Sequence, residues 1–366
     1  MLKSIHFLLQ KSVLPFLKKI NTKVYFMFEL LTSFASLYKA YKSAKAGKGY
    51  KNSTAKFESM ALEGVLMIQE QLRSKTYKIA EYNQFEVTRP KRRVIKACSF
   101  QDKIVQHSLC DNVLVPFVYK IFNDVNFAGQ IGKGTLYGLD SLKSAMVDFY
   151  SKHKDGWILK CDITKFFYNI DHDTLKDKLK RYIDNEDVLW LCDLFIDSTD
   201  NPGLPLGNQV SQSFALLYLN DLDHYIKDEL GIKYYGRYMD DFYLLHHDKE
   251  YLKYCKKMIE KQVEELKLTL NDKTQIMPFK NGVDFLGFHT YITKNGIPIR
   301  KLRNENKRTA KKKYRKMAKL VIDGKLSKDK FMMSYQSWKA HASHGNCKKL
   351  IRNMDCMINE ILEVSE

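Results

Sequence analysis

The chain has 366 residues, 45% of them hydrophobic, with 61 Lys and Arg against 42 Asp and Glu for a formal net charge of +19. That length suffices for two to three domains with buried cores, and the composition excludes a disordered polyelectrolyte. A mean hydropathy of −0.40 and the absence of a long apolar run exclude a polytopic membrane protein, so no membrane partner is expected. The positive excess, with a sequence pI of about 9.3, calls for a polyanionic partner, most commonly nucleic acid; charge that serves solubility alone is the competing explanation. The seven Cys are an odd number with no C-x-x-C pair. They argue against a disulfide framework or zinc site and for a reducing cytoplasm.

Residues 1–20 look at first like a signal peptide, but Gln10, Lys11, Lys18 and Lys19 break the apolar run and no small-residue cleavage site follows, so an amphipathic helix is expected. A helical pattern then runs from Met27 to Ala46, a polar linker from Gly47 to Thr54, and a second helix from Lys56 to Ser74 with apolar positions Met60, Leu62, Leu66, Ile68 and Leu72. Phe85 to Ala97 is β-prone, and its Pro90 and basic cluster predict a hairpin. Helical signals resume from Ile104 to Phe122, and Gly156 to Phe167 reads as a buried strand that ends where polar residues begin. Another helix is expected after the turn at Gly207. Tyr234 to His247 alternates like a hairpin about an acidic tip, a long helix spans about Lys249 to Leu266, and Val283 to Ile292 forms a short strand pair. From Lys301 to Glu366 there are 17 Lys and Arg against 7 Asp and Glu, about half the net charge in less than a fifth of the chain. This stretch opens as a basic amphipathic helix. Phe331, Met332, Tyr335, Trp338, Leu350 and Ile351 point to a folded helical domain rather than a solvated tail.

Three acids stand where an isolated charge is expensive. Asp162 closes the run WILKC, and Asp240 with Asp241, the only Asp-Asp pair in the chain, is flanked by Tyr234, Tyr235, Tyr238 and Met239 on one side and Phe242 to Leu245 on the other. An Asp-Asp pair in polar surroundings is usually a solvated turn; apolar flanks on both sides argue otherwise. Carboxylates gathered in a partly dry site repel one another unless a cation neutralises them. Hard divalent ions prefer such all-oxygen sites, and Mg²⁺ keeps waters and phosphate oxygens as its other ligands. Two such ions activate a 3′-hydroxyl and stabilise departing pyrophosphate. A basic chain with such a site is a candidate for nucleotidyl transfer.

The motifs DITKFF, GLPLGNQVSQ, RYMDDF, LNDKT and FLGF, in this order between Asp162 and Phe288, resemble the palm of the reverse transcriptase family, and the similarity extends over roughly residues 27–345. The resemblance implies an α/β (α+β) right-hand polymerase, with fingers and a palm built on an antiparallel sheet, then a helical thumb. The corresponding boundaries are residues 1–46 for an N-terminal helical extension, 47–292 for fingers and palm, and 293–366 for the basic thumb. It implies catalytic carboxylates at Asp162, Asp240 and Asp241, with Mg²⁺ (Mn²⁺ as a substitute) held by them and by the Ile163 carbonyl. Phe167 matches the aromatic steric gate that repels a ribose 2′-hydroxyl, with ordinary packing as its alternative role. Arg93 and Lys103 match the cations that grip the triphosphate, although Lys in the second position lacks the bidentate fork of Arg; Lys91 and Arg92 are weaker matches. Lys273 matches a lysine near the leaving pyrophosphate. Phe285, Leu286 and Gly287 match the primer-supporting hairpin, where Phe and Leu serve packing first. Template RNA, a primer and deoxynucleoside triphosphates are the implied partners.

Within the family, Leu206 and Gly207 followed by Ser211 and Gln212 form an aliphatic-Gly-x-x-x-Ser-Gln pattern that resembles the enzymes of diversity-generating retroelements, as do Ile131 to Leu142 and Ser334 to Asn346. Leu206, Gly207 and Gln212 are then nucleotide-binding positions. That branch implies error-prone copying of a template RNA with an accessory protein, and Leu206 in place of an amide removes one polar contact from base readout. A defence-associated reverse transcriptase is the alternative, and an inactive RNA-binding scaffold a remote one.

Overall fold

The computed structural model describes residues 26–88 and 92–363. The helix expected over residues 1–20, and Arg89, Pro90 and Lys91 of the basic cluster, lie outside the described residues. The chain forms two compact units that it enters more than once.

The first unit draws on the described residues up to Asp124, on Ile163–Tyr225 and on Glu260–Thr269. Its helices Met27–Leu31 and Phe34–Lys45 replace the single helix expected there. The break falls at Thr32, whose hydroxyl donates to the Phe28 carbonyl, and at Ser33, whose hydroxyl caps the second helix through the Ser36 N–H. The next expected helix is likewise split, into Asn52–Glu58 and Ala61–Arg73. Here the predicted apolar face is corrected: Met60, Leu62 and Leu66 are exposed, and Val65, Ile68 and Leu72 are the buried face. Once the helix begins at Ala61, the 3.6-residue repeat is phased by these three residues. The predicted hairpin is present as β1 (Asn83–Val87) and β2 (Arg93–Ala97), paired antiparallel with Phe85 opposite Ile95. Helix Phe100–Leu109 packs against Phe34–Lys45 and continues as a π-helix, Cys110–Val118, around Pro116. Three further helices, His172–Lys180, Glu186–Ile196 and Gln209–Tyr218, complete the unit's main helical framework, the last beginning just after Gly207 as expected.

The second unit takes Val125–Asp162, Ile226–Ile259 and the chain from Leu270 onward. The buried strand predicted around Trp157 is β3 (Trp157–Asp162), and the acidic hairpin is β4 (Tyr234–Tyr238) with β5 (Asp241–His246). With β6 (Gln275–Pro278) they form an antiparallel sheet in the order β4-β5-β3-β6. Helix Thr135–His153 covers it, placing Leu142, Met146 and Phe149 in one core with Ile158, Tyr243 and Phe285. A second sheet follows from β7 (Val283–Phe285), β8 (Phe288–Ile292) and β9 (Pro298–Leu302). The basic segment then folds as three helices, Asn304–Ile322, Lys328–Ser343 and Lys348–Glu363, around Tyr314, Phe331, Tyr335 and Met354. The mixed α/β architecture with antiparallel sheets and a terminal helical bundle is thus the one the sequence predicts. Among the described residues no helix is long and apolar enough to cross a membrane.

Candidate active site

In the second unit the register of β3 on β5 runs from Trp157 opposite His246 to Asp162 opposite Asp241. Two acids 79 residues apart in sequence therefore meet as a cross-strand pair at the sheet's end. In the neighbouring hairpin Tyr238 pairs with Asp241, which leaves Met239 and Asp240 as a two-residue turn. Met239 holds a φ of +56°, an uncommon backbone state for a side-chain-bearing residue. The fully buried Arg237 braces that turn, its guanidinium donating to the Met239 carbonyl at 2.9 Å. Its own backbone is tied to Val125 and Phe127 by hydrogen bonds of 2.8 and 2.9 Å.

Lys160 lies two residues before Asp162 and shares its face of the strand. Its side chain is only 16% exposed and is ion-paired with Asp241, and Nζ sits 5.3 Å from the centre of the Phe285 ring. Burial pulls the Lys160 ammonium down to about 8, against the opposing influence of Cys161 and of the Asp162, Asp240 and Asp284 carboxylates. Sequence reasoning missed both Lys160 and Arg237. The available signal was a lone cation inside each of two otherwise apolar strands.

The donor set fits a hard divalent ion. Asp162 and Asp240 offer carboxylate oxygens, and the buried ammonium against Asp241 marks a place that draws positive charge. Among the described residues no group of three or more His, Cys, Asp or Glu side chains forms a ready-made cage. Mg²⁺ bound through one or two carboxylates plus waters and phosphate oxygens does not need one.

The LNDKT turn is fastened to this strand end. The Asn271 N–H donates to the Asp162 carbonyl at 2.7 Å, and the Asn271 side chain accepts the Lys273 N–H at 3.0 Å, leaving the Lys273 side chain exposed. Phe285 and Phe288 pair across a turn formed by Leu286 and Gly287, with φ of +48° and +87°. Positive φ at both central residues matches a type I′ hairpin turn. The Gly287 carbonyl accepts from the Arg303 N–H and the Asn306 amide at 3.2 and 3.1 Å. Phe285 is buried edge-on against Tyr243.

In the first unit Lys103, Gly207 and Gln212 line one cavity of about 270 Å³ together with Lys48, Gln106 and Asn208. Ser99 and Asp102 form a reciprocal capping box at the start of helix Phe100–Leu109, which sets Lys103, Gln106 and His107 on one helical face. The Gln106 side-chain oxygen accepts the Gln209 N–H at 2.8 Å, and the Asn208 amide donates to the Tyr82 hydroxyl at 2.7 Å. These bonds leave the Gln106 Nε2 donor and the Asn208 Oδ1 acceptor buried without protein partners; neither residue was singled out in the sequence. Burial lowers the His107 pKa, Lys48 adds to the effect and Asp111 opposes it. Gly207 has a φ of +124°, and a Cβ there would lie 3.0 Å from the Lys96 carbonyl, so the position favours glycine. The Leu206 carbonyl accepts the Lys96 N–H at 3.0 Å.

Four of the expected nucleotide-binding residues, Arg93, Phe167, Leu206 and Lys273, are not walls of this cavity. Arg93 is exposed at the start of β2, and its neighbour Arg92 is spent on Glu86. Phe167 is half-buried, edge-on to the buried Phe166 with ring centres 5.6 Å apart. Its carbonyl accepts the Leu204 N–H at 2.7 Å, tying DITKFF to GLPLG. Ile163, after Asp162, is buried.

No curated protein sequence matches the chain. Three solved telomerase structures share limited likeness with it. They are apo telomerase from Candida tropicalis truncated from its C-terminal domain (13% identity, 66% of this chain and 60% of that chain, TM-score 0.47), Candida albicans telomerase in complex with a TWJ fragment of telomeric RNA (12%, 83% and 64%, 0.47), and apo Candida tropicalis telomerase (13%, 63% and 52%, 0.44). The chain thus spans between 52% and 64% of the telomerase chains it matches. The family model for reverse transcriptase (RNA-dependent DNA polymerase) matches residues 83–290, more than half of the chain. That span runs from the β1–β2 hairpin past the opposed Asp162 and Asp241 to the Phe285–Phe288 turn, and on this match the chain belongs to the reverse transcriptase family.

Proposed function

We propose that the protein is an RNA-directed DNA polymerase that adds deoxynucleotides to a primer 3′ end. The observation that carries this reading is the cross-strand pairing of Asp162 with Asp241, with Asp240 on the braced turn beside them. Asp162 and Asp240, with the Ile163 carbonyl, are the groups that would hold Mg²⁺ or Mn²⁺. Bound there, the metal supplies activation of the 3′-hydroxyl and neutralisation of phosphate charge. Asp241 adds negative charge beside the two ligands. Arg93 and Lys103 offer cations to the triphosphate, and Lys273, exposed on a turn fixed to the Asp162 carbonyl, is suited to the departing pyrophosphate. The Phe167 ring bars a 2′-hydroxyl by repulsion. Gly207 and Gln212 line the pocket that would receive nucleotide or template, and Phe285, Leu286 and Gly287 support the primer end. On this reading residues 47–292 act as fingers and palm, 293–366 as the thumb, and 1–46 as an extension.

The branch that fits best is the diversity-generating retroelement, on the pattern Leu206-Gly207 to Ser211-Gln212, with template RNA and an accessory protein as partners. The cytoplasm suits seven free cysteines, six of them buried.

Primer extension on an RNA template with Mg²⁺ or Mn²⁺ tests the activity. The wild-type chain extends, and Asp240→Ala with Asp241→Ala lowers extension by at least about a thousandfold, the scale of losing metal-held electrostatic stabilisation. Extension that survives both changes removes the carboxylate assignment. Paired repeats differing mainly at adenines in the flanking DNA support the retroelement; their absence favours the defence-associated reading.

A further inference from the structure

The cation in the carboxylate cluster has no part in the function proposed above. Lys160 is on β3, opposite Tyr243 of β5 and Gln275 of β6, so its strand is flanked on both sides and the side chain must settle on a face of the sheet. It settles against Asp241 and over the Phe285 ring, 16% exposed. The charged groups that act on it are Asp162 from its own strand, Asp240 from the turn and Asp284 from β7. Several carboxylates crowded at one sheet end would repel one another, and a buried ammonium is stable only when paired. Each side of this arrangement therefore answers the other's need.

We propose that Lys160 is the internal counter-ion of the carboxylate cluster: it claims Asp241 and so keeps that carboxylate from the divalent ion. Lys160 is then a positioning residue, acting through Asp241 rather than on substrate. The inference deepens the polymerase reading and rests on its metal site. Breaking a buried ion pair by removing one partner is far more damaging than removing both, and this asymmetry supplies the test.

The experiment uses the full chain as wild type, as Lys160→Met, which keeps an apolar stem over Phe285, and as Lys160→Met with Asp241→Asn. Thermal melting is recorded in chelator and in Mn²⁺, and Mn²⁺ affinity is measured by electron paramagnetic resonance without nucleotide. Lys160→Met melts below wild type in chelator, gains more from Mn²⁺ than wild type does, and binds Mn²⁺ several-fold more tightly because Asp241 is released to the metal. The double variant recovers both melting and affinity toward wild type. A purely structural lysine would lower melting without changing Mn²⁺ affinity. Indistinguishable Mn²⁺ binding by wild type and Lys160→Met, including none by either, overturns the proposal. If Lys160→Met does not fold in chelator, the double variant decides: folding supports the counter-ion role, and failure to fold overturns it. Primer extension by wild type is run in parallel, so a polymerase that does not extend sinks the proposed activity while the Mn²⁺ comparison still judges Lys160.

Discussion

At Leu206 the main chain and the side chain have separate tasks. The carbonyl accepts the Lys96 N–H at 3.0 Å and joins the Gly207 turn to β2, while the side chain is half-buried. Leu206→Gln therefore keeps the turn and adds an amide, restoring a polar contact to base readout. One hydrogen bond contributes about 1 kcal/mol, or roughly fivefold in discrimination. Sequencing the products of primer extension is expected to show misincorporation opposite template adenine falling by about that factor; an unchanged error spectrum removes Leu206 from fidelity control. Lys160 shows the other side of the residue scale. It interrupts the run WILKC, and on composition alone it passes for a charge reaching from strand to water. Only the strand register, which sets Asp241 opposite Asp162, shows that the charge has a partner inside.

At the scale of elements, helix His172–Lys180 carries a built-in response to acid. Asp171 caps it, accepting from the Thr174 N–H at 2.9 Å and its hydroxyl at 2.7 Å, and pairs with Lys267 at 2.8 Å. Burial pushes its carboxyl up, but the Lys267 and Thr174 hydrogen bonds outweigh that and hold it at about 2. A folded pKa below the unfolded one means that the stabilisation is complete above about pH 4 and disappears as pH falls toward 2. Asp171→Asn, which keeps a capping oxygen and loses the ion pair, is expected to lower stability by about 1–2 kcal/mol at pH 7. The deficit measured by urea unfolding should shrink between pH 4 and pH 2, and a deficit constant with pH contradicts the assignment. The elements also mark where periodicity is readable. Hairpins with apolar arms, such as Tyr234 to His246, were legible because alternation fixes which face is buried. The short helices before Arg73 were not. The break between Asn52–Glu58 and Ala61–Arg73 leaves Met60 outside both helices and starts the second at Ala61, so Met60, Leu62 and Leu66, which read as core, are exposed.

For the whole molecule, the charge of +19 has a definite arrangement. In helix Asn304–Ile322 the buried positions are Ala310, Tyr314 and Ala318, one side of the helix, while Arg308, Lys311, Lys312, Arg315, Lys316 and Lys319 are exposed. Neutralising Lys311, Lys312 and Lys316 together to Gln removes three candidate phosphate contacts without touching the core. The log–log salt dependence of RNA binding is expected to flatten by about two to three units, since each phosphate contact contributes roughly 0.7–0.9. A fluorescence-anisotropy salt series with an unchanged slope means that this face does not carry the RNA.

Composition and local order by themselves determined the strands bearing Asp162 and Asp241, the hairpins and the helical character of the basic end, and pointed to a polyanionic partner. Each follows from charge count, two-residue alternation or apolar spacing, which are local quantities. Tertiary structure alone decided the pairing of Asp162 with Asp241, the bracing of Met239 by Arg237, the capture of Asp241 by Lys160, and the cavity that gathers Lys103, Gly207 and Gln212. Those relations depend on the register between strands and the packing of helices far apart in the chain, and no local pattern encodes the distance between two side chains that only folding brings together.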